Sequence, residues 1–185
     1  MKLLLLLRHA QADRASPDLS DHDRPLDERG RRDATAVGRL LLREGLVPDR
    51  ILSSTALRAC ATAQRAAESS CYEGEIRTSS RLYLADCLGL LGPLRELDSA
   101  CDSALIVAHN PGVAELLQLL TGENRPVPTA ALARLHLPVE SWKQLQPTLR
   151  GQLVDFWPVT PRGCRHPPGT ESAGAPRSDG RRRRR

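Results

Sequence analysis

The sequence predicts an α/β protein, a three-layer α/β/α sandwich around a mostly parallel central sheet. Three observations carry this reading. The chain opens MKLLLLLR, a continuous apolar run of the kind seen in strands buried on both faces. Later short apolar runs, DRILSS and SALIVAH, alternate with stretches of helical periodicity. Arg, His and Asn stand where these runs give way to helices, and ligands of open α/β sheets sit in the crevice beyond the strand ends.

The elements follow in order. Five leucines ending on Arg8 and His9 are too short for a secretory h-region of roughly 7 to 15 residues or a membrane span of about 20. A polar loop, ADRASPDLSDHDRPLDERG, comes next. A helix is expected from about Glu28 to Glu44, with Ala34, Val37, Leu40 and Leu41 on one face and Gly45 as its stop. DRILSS reads as the second strand, and TALRACATAQRAAES as a helix capped by Ser54 or Thr55. Glu75 to Thr78 reads as a strand and Asp86 to Leu97 as a helix, weakened by Gly89, Gly92 and Pro93. SALIVAHNPGVAELLQLLTG is the clearest unit: a strand over Ala104 to Ala108, Asn110 as cap, Pro111 at the first helical position and Gly122 as stop. ALARLHLP and GQLVDFW read as two last strands, joined by a linker containing Trp142 and Pro147.

Composition narrows the function. Of the net charge of +5, residues 158–185 contribute eight arginines against Glu171 and Asp179, leaving the other 157 residues at net −1. The basicity belongs to a Pro/Gly/Ser-rich tail that has too few apolar groups to offset the entropy of ordering. The division expected is therefore a domain over 1–157 and a disordered Arg-rich tail over 158–185. Contact of that tail with nucleic acid is not the expected reading, and a solvated charge run is. One Phe, two Tyr and two Trp leave little for stacking bases. Five scattered cysteines, Cys60, Cys71, Cys87, Cys101 and Cys164, suggest neither a disulfide framework nor a zinc site, which fits a cytoplasmic protein without a membrane partner.

Three junctions then stand out: Arg8-His9 after the first strand, Arg58 at the start of the second helix, and His109-Asn110 after the third strand of the parallel set. Helix N-termini favour anions. A cation in a first helical turn is disfavoured by about 0.3 to 1 kcal/mol, so Arg58 asks for a compensating anion, and phosphate would supply it. Taken singly, Arg58 also reads as a surface arginine and His109 as a hydrogen-bonded histidine near a sheet edge. Together, two His and two Arg at equivalent strand ends point to a site. No carboxylate or Cys stands at metal-ligand spacing from the histidines, so no metal is expected.

LLLLLRHAQA resembles the Arg-His signature of the histidine phosphatase (phosphoglycerate mutase-like) superfamily. SSTALRACATA resembles its second arginine block and IVAHNPGV its second histidine block, in the same order and spacing. DRPLDERGRRDA is similar to the loop and helix of the SixA-type branch, the phosphohistidine phosphatases, where Ala10 in place of glycine also occurs. The likeness covers about residues 1 to 157. It implies a phosphatase without cofactor in which His9 is the nucleophile, forming a phosphohistidine intermediate. Arg8, Arg58 and His109 would surround the phosphoryl oxygens, with Asn110 and Arg24 as further phosphate-binding candidates. Nearby positive charge should keep His9 neutral.

Larger branches place a Glu or Asp acid near RLYLADCLGLL. Here Leu84 stands near that place, and Asp86 is the candidate general acid, although it also reads as a helix cap. A missing acid costs about 10²- to 10⁴-fold for an alkoxide leaving group and less for imidazole. The expected substrate is thus phosphohistidine in a protein. The alternatives are a phosphomonoesterase acting on a small metabolite or nucleotide, with Asp86 as acid, and a non-catalytic phosphate-binding module. Asp23, Arg24 and Arg29 are candidates to fold over the mouth, Arg24 either meeting substrate or pairing with a loop carboxylate. His22 and His136 read as incidental.

Overall fold

The opening leucines divide between two cores, and that division sets the architecture. In the computed structural model, which describes residues 1–13, 19–160 and 163–164, strand β1 (Lys2–Arg8) lies inside a six-stranded sheet. Leu4 and Leu6 face one core, and Leu5 and Leu7 the other. Helix α1 (Glu28–Arg43) precedes β2 (Arg50–Ser54), and α2 (Leu57–Ser69) precedes β3 (Ile76–Ser79). Helix α3 (Cys87–Arg95), β4 (Ser103–Ala108) and α4 (Gly112–Thr121) lead to β5 (Leu132–Leu137) and β6 (Gln152–Trp157). The strand order is β3-β2-β4-β1-β5-β6. The first four of these are mutually parallel, β5 runs antiparallel to β1, and β6 antiparallel to β5. Helices α1 and α2 cover one face, α3 and α4 the other, giving the expected three layers.

Local chemistry explains the element ends. The Asp27 carboxylate accepts from Gly30 N at 2.6 Å and opens α1, whose Ala34, Val37, Leu40 and Leu41 are buried as the periodicity predicts. Gly30 is needed for approach: a Cβ there would lie 2.1 Å from the Gln11 carbonyl oxygen, so α1 packs directly on the chain leaving β1. Gly122 ends α4 in the left-handed region at φ 78°.

Several expectations are corrected. Neither Ser54 nor Thr55 caps α2; Ala56 holds that position without a side-chain bond, because the Ser54 hydroxyl is turned to Ala56 N and His109. Asn110 does not cap α4, since its amide donates to the Val127 carbonyl at 3.0 Å and Pro111 takes the cap position. Helix α3 is shorter than expected at both ends. The segment between β5 and β6 is more than a linker: Trp142 is fully buried, and its indole N–H donates to the Cys101 carbonyl at 2.6 Å. Past the expected boundary at 157, Val159 is buried, and β7 (Val159–Thr160) pairs with β8 (Gly163–Cys164). The expected disorder of the Arg-rich tail concerns residues that otherwise lie outside the described ones. Among the described residues, no helix is long and apolar enough to cross a membrane.

Candidate active site

Strands β2, β4 and β1 are neighbours in the sheet, and their carboxyl ends bring Arg58, His109 and His9 together, His109 buried against the other two and outside the lining of the cleft. The three junctions do converge. His9 and His109 rings stand 4.9 Å apart, and the Arg58 guanidinium reaches both: Nε lies 3.3 Å from His9 Nε2 and Nη2 lies 3.4 Å from His109 Nδ1. Arg8, His9, Arg24 and Arg58 line a cleft of about 170 Å³ together with Asp21.

Hydrogen bonds fix the tautomers. His9 Nδ1 lies 2.8 Å from the Ala10 carbonyl, which can only accept, so Nδ1 carries the proton and Nε2 keeps its lone pair. Arg58 is always a donor, so the His109 nitrogen it meets is an acceptor, and His109 Nε2 donates to Ser54 Oγ at 2.8 Å. Burial above all pushes the His9 pKa down to about 4; the bond to Ala10 opposes this, and the charges of Arg58 and Arg8 add to it. His109 is pushed down to about 3, by burial first and then by His9 and Arg58. Both rings are therefore neutral at pH 7. Positive charge was expected to keep His9 neutral, and it contributes, but desolvation does more.

The frame around these groups is tied across elements. Thr62 Oγ1 accepts from Ala10 N at 3.0 Å and donates to the Arg58 carbonyl at 2.6 Å, locking the turn after β1 to the start of α2. Arg8 Nη1 donates to the Val127 carbonyl at 2.9 Å, the same oxygen that Asn110 engages, while the buried Arg8 Nε has no partner among the described residues. Asn110 thus supports Arg8 through a shared carbonyl and does not line the cleft.

The compensating anion that Arg58 asks for is present within the chain. Arg58, 4% exposed, receives the Asp21 carboxylate at 2.8 Å on Nη2 and the Asp21 backbone carbonyl on Nη1. Arg24 lines the cleft and also pairs with a loop carboxylate, lying 3.3 Å from Asp21. Tyr83 donates to Asp21 at 3.0 Å and sets its ring edge-on to His109 at 5.5 Å. Asp21 and Tyr83 were missed in the sequence. No spacing rule singles out one aspartate in a loop of several, and the pattern of RLYLADC points to an acid, not to its tyrosine.

The remaining candidates fall away from the chemistry. Asp86 is the N-cap of α3, its carboxylate accepting from Gly89 N at 2.7 Å, and it does not line the cleft. Leu84 is exposed with φ 49°. Arg29 pairs with Asp33 at 3.4 Å on α1, and Asp23 binds Ser20 and His22. His22 is not incidental: its Nε2 lies 3.0 Å from Thr55 Oγ1, its ring packs on Tyr83 at 4.9 Å, and its carbonyl accepts from Leu57 N at the start of α2. His136 lies on β5 away from the cleft. Among the described residues, no group of three or more His, Cys, Asp or Glu side chains is gathered as a metal site.

A family model for the histidine phosphatase superfamily (branch 1) matches residues 4–83. An uncharacterized protein of Mycobacterium leprae is 30% identical over 153 residues, which are 76% of this chain and 92% of that protein. Among solved structures, the proposed phosphohistidine phosphatase SixA of Agrobacterium tumefaciens is similar with a TM-score of 0.72 and 30% identity, covering 84% of this chain and 96% of that one. The protein histidine phosphatase SixA in complex with tungstate has a TM-score of 0.71 at 24% identity, over 83% and 95% of the two chains, and bears on the fold alone. A family match running from β1 to Tyr83, with 30% identity across nearly the whole of two relatives, leaves one conclusion: the chain belongs to the histidine phosphatase superfamily.

Proposed function

We propose that this protein is a phosphatase that transfers a phosphoryl group to His9 and then to water, acting on phosphohistidine in a protein. The observation that carries this reading is the His9 imidazole. Its Nδ1–H is spent on the Ala10 carbonyl, its Nε2 lone pair is turned toward Arg58 in the cleft, and its low pKa keeps that lone pair free of a proton. A neutral, oriented imidazole is a competent nucleophile. Membership of the superfamily supports the phosphatase activity in general, and the substrate and intermediate are the further step.

In the first half-reaction, Nε2 of His9 attacks phosphorus, the new P–N bond forms, and the bond from phosphorus to the leaving group breaks with its electron pair going to that group. Arg8 and Arg58 meet charge that spreads over three phosphoryl oxygens, with Arg24 at the wall of the cleft. In the second, water attacks phosphorus, the P–N bond breaks back to His9, and phosphate leaves. A departing imidazole accepts a proton from solvent. An alkoxide needs an acid at the moment of cleavage, and the carboxylates at hand are otherwise engaged: Asp86 caps α3, and Asp21 is bound by Arg58 and Arg24. The cleft therefore suits a phosphoramidate better than an alkyl ester.

Phosphate release from a phosphohistidine peptide and from an alkyl phosphate, measured with a chelator present, tests this. Release from the peptide that His9→Ala abolishes is expected. Faster release from the alkyl phosphate would favour the metabolite phosphomonoesterase, and no release from either would leave a phosphate-binding module.

A further inference from the structure

We infer that Asp21 is a specificity-determining residue: its carboxylate guards the phosphoryl seat and favours substrates whose leaving group is neutral or cationic over those that carry a second negative charge. The inference rests on the phosphatase reading for its consequence in catalysis, but the charge selection itself is a property of binding.

Among the described residues, Asp21 is the acidic side chain that lines the cleft, beside Arg8, Arg24 and Arg58. One carboxylate oxygen takes both Arg58 Nη2 at 2.8 Å and the Tyr83 hydroxyl at 3.0 Å, and the other lies 3.3 Å from Arg24 Nη1. Arg58 is 5% exposed in its side chain and Asp21 is 49% exposed, so this ion pair spans the boundary between the buried seat and water. With His9 and His109 neutral, the described residues that line the cleft, three arginines and one aspartate among the charged ones, carry a net charge of +2. That balance matches one phosphoryl dianion. Burial raises the pKa of Asp21, but hydrogen bonds from Arg58 and Tyr83 outweigh it and hold the carboxyl below its ordinary range. Asp21 is thus a fixed negative charge and not a proton donor.

A phosphoryl dianion that engages Arg58 has to share it with Asp21 or displace it, and whatever hangs from phosphorus then lies within a few ångströms of the carboxylate. A carboxylate or second phosphate on the leaving group meets like charge, because Arg58 and Arg24 are already paired with Asp21. An imidazole or ammonium group meets an acceptor. A purely structural role, clasping the turn over residues 20–23 to the start of α2, would shift stability without changing the order of ligands.

Calorimetric titration with two phosphonates that cannot be hydrolysed separates these roles. Methylphosphonate and phosphonoacetate present the same phosphonate group, the second with an added carboxylate, at a mildly alkaline pH that ionises both fully. The wild-type protein is expected to bind methylphosphonate the more tightly. Asp21→Asn should improve phosphonoacetate binding about tenfold more than methylphosphonate binding, the scale of a half-exposed charge pair. Asp21→Glu should restore the preference. Equal affinity of the wild type for both ligands, or a preference for phosphonoacetate, overturns the proposal even if the variants fail to fold. So does an Asn variant in which both affinities move by the same factor. Turnover of phosphoimidazole, followed in parallel, tells the two readings apart: its absence with the binding preference intact refutes the phosphatase reading alone.

Discussion

Replacing Asp86 by alanine separates capping from acid catalysis. Its carboxylate accepts from Gly89 N at 2.7 Å and satisfies one of the free N–H groups at the start of α3. Losing such a cap costs about 0.5 to 2 kcal/mol. The bond is exposed, so water replaces part of it, and the loss expected is about 1 kcal/mol. For a chain of this size that lowers Tm by about 2 to 4 °C. Asn caps as well as Asp, so Asp86→Asn should keep the wild-type Tm. Neither variant should change turnover, because the carboxylate is turned to Gly89 and away from the cleft. A general acid would behave in the opposite way. Both variants would lose about 10²- to 10⁴-fold on an alkyl phosphate, with little effect on a phosphoramidate. Thermal unfolding and steady-state rates on both substrates decide between them. An Asn variant with wild-type Tm that hydrolyses alkyl phosphate a hundredfold more slowly would refute a role confined to capping and return Asp86 to the chemistry.

Three further outcomes follow from the same geometry. His9 and His109 have pKa values of about 4 and about 3 when folded, below the unfolded value, so the unfolded chain binds more protons as pH falls. Their burial leaves stability unchanged above the unfolded pKa of about 6.5 and lowers it progressively down toward the folded values. Equilibrium denaturation across that window should show a shallower acid loss for His9→Gln than for the wild type, and equal slopes would count against a buried neutral His9. Thr62→Val removes the acceptor of the buried Ala10 N–H, which should cost about 1 to 3 kcal/mol and reduce kcat by loosening His9. An unchanged kcat would show that the turn after β1 holds itself. Gly30→Ala forces a Cβ to within 2.1 Å of the Gln11 carbonyl, so α1 must shift, at about 1 to 3 kcal/mol by denaturant titration. A neutral substitution there would contradict the close packing of α1 on that segment.

The sequence made the strand-to-helix logic legible because it is carried by pattern. An unbroken apolar run has to be buried on both faces, and the leucines of β1 do divide between the two cores. Polar residues at the ends of such strands then share one edge of the sheet, which is why the sequence alone groups Arg8, His9, Arg58 and His109. What escaped depends on side-chain direction. Asn110 stands beside a helix start, where the sequence predicts a cap, but its amide is drawn to the Val127 carbonyl across the fold. Asp21 lies in a loop without period, and only the closure of that loop over α2 brings it to Arg58. Trp142 sits among polar residues that read as linker, yet a partner 41 residues away takes its indole N–H into the core. These pairings span tens of residues, and a local pattern holds no record of them.

The central claim is that His9 carries the phosphoryl group, and rapid quenching of phosphoimidazole turnover tests it most directly. The account predicts an acid-labile phosphoryl group on the peptide containing His9, formed before phosphate appears and absent from His9→Ala. Turnover without any such intermediate, or with the phosphoryl group on His109, would contradict it.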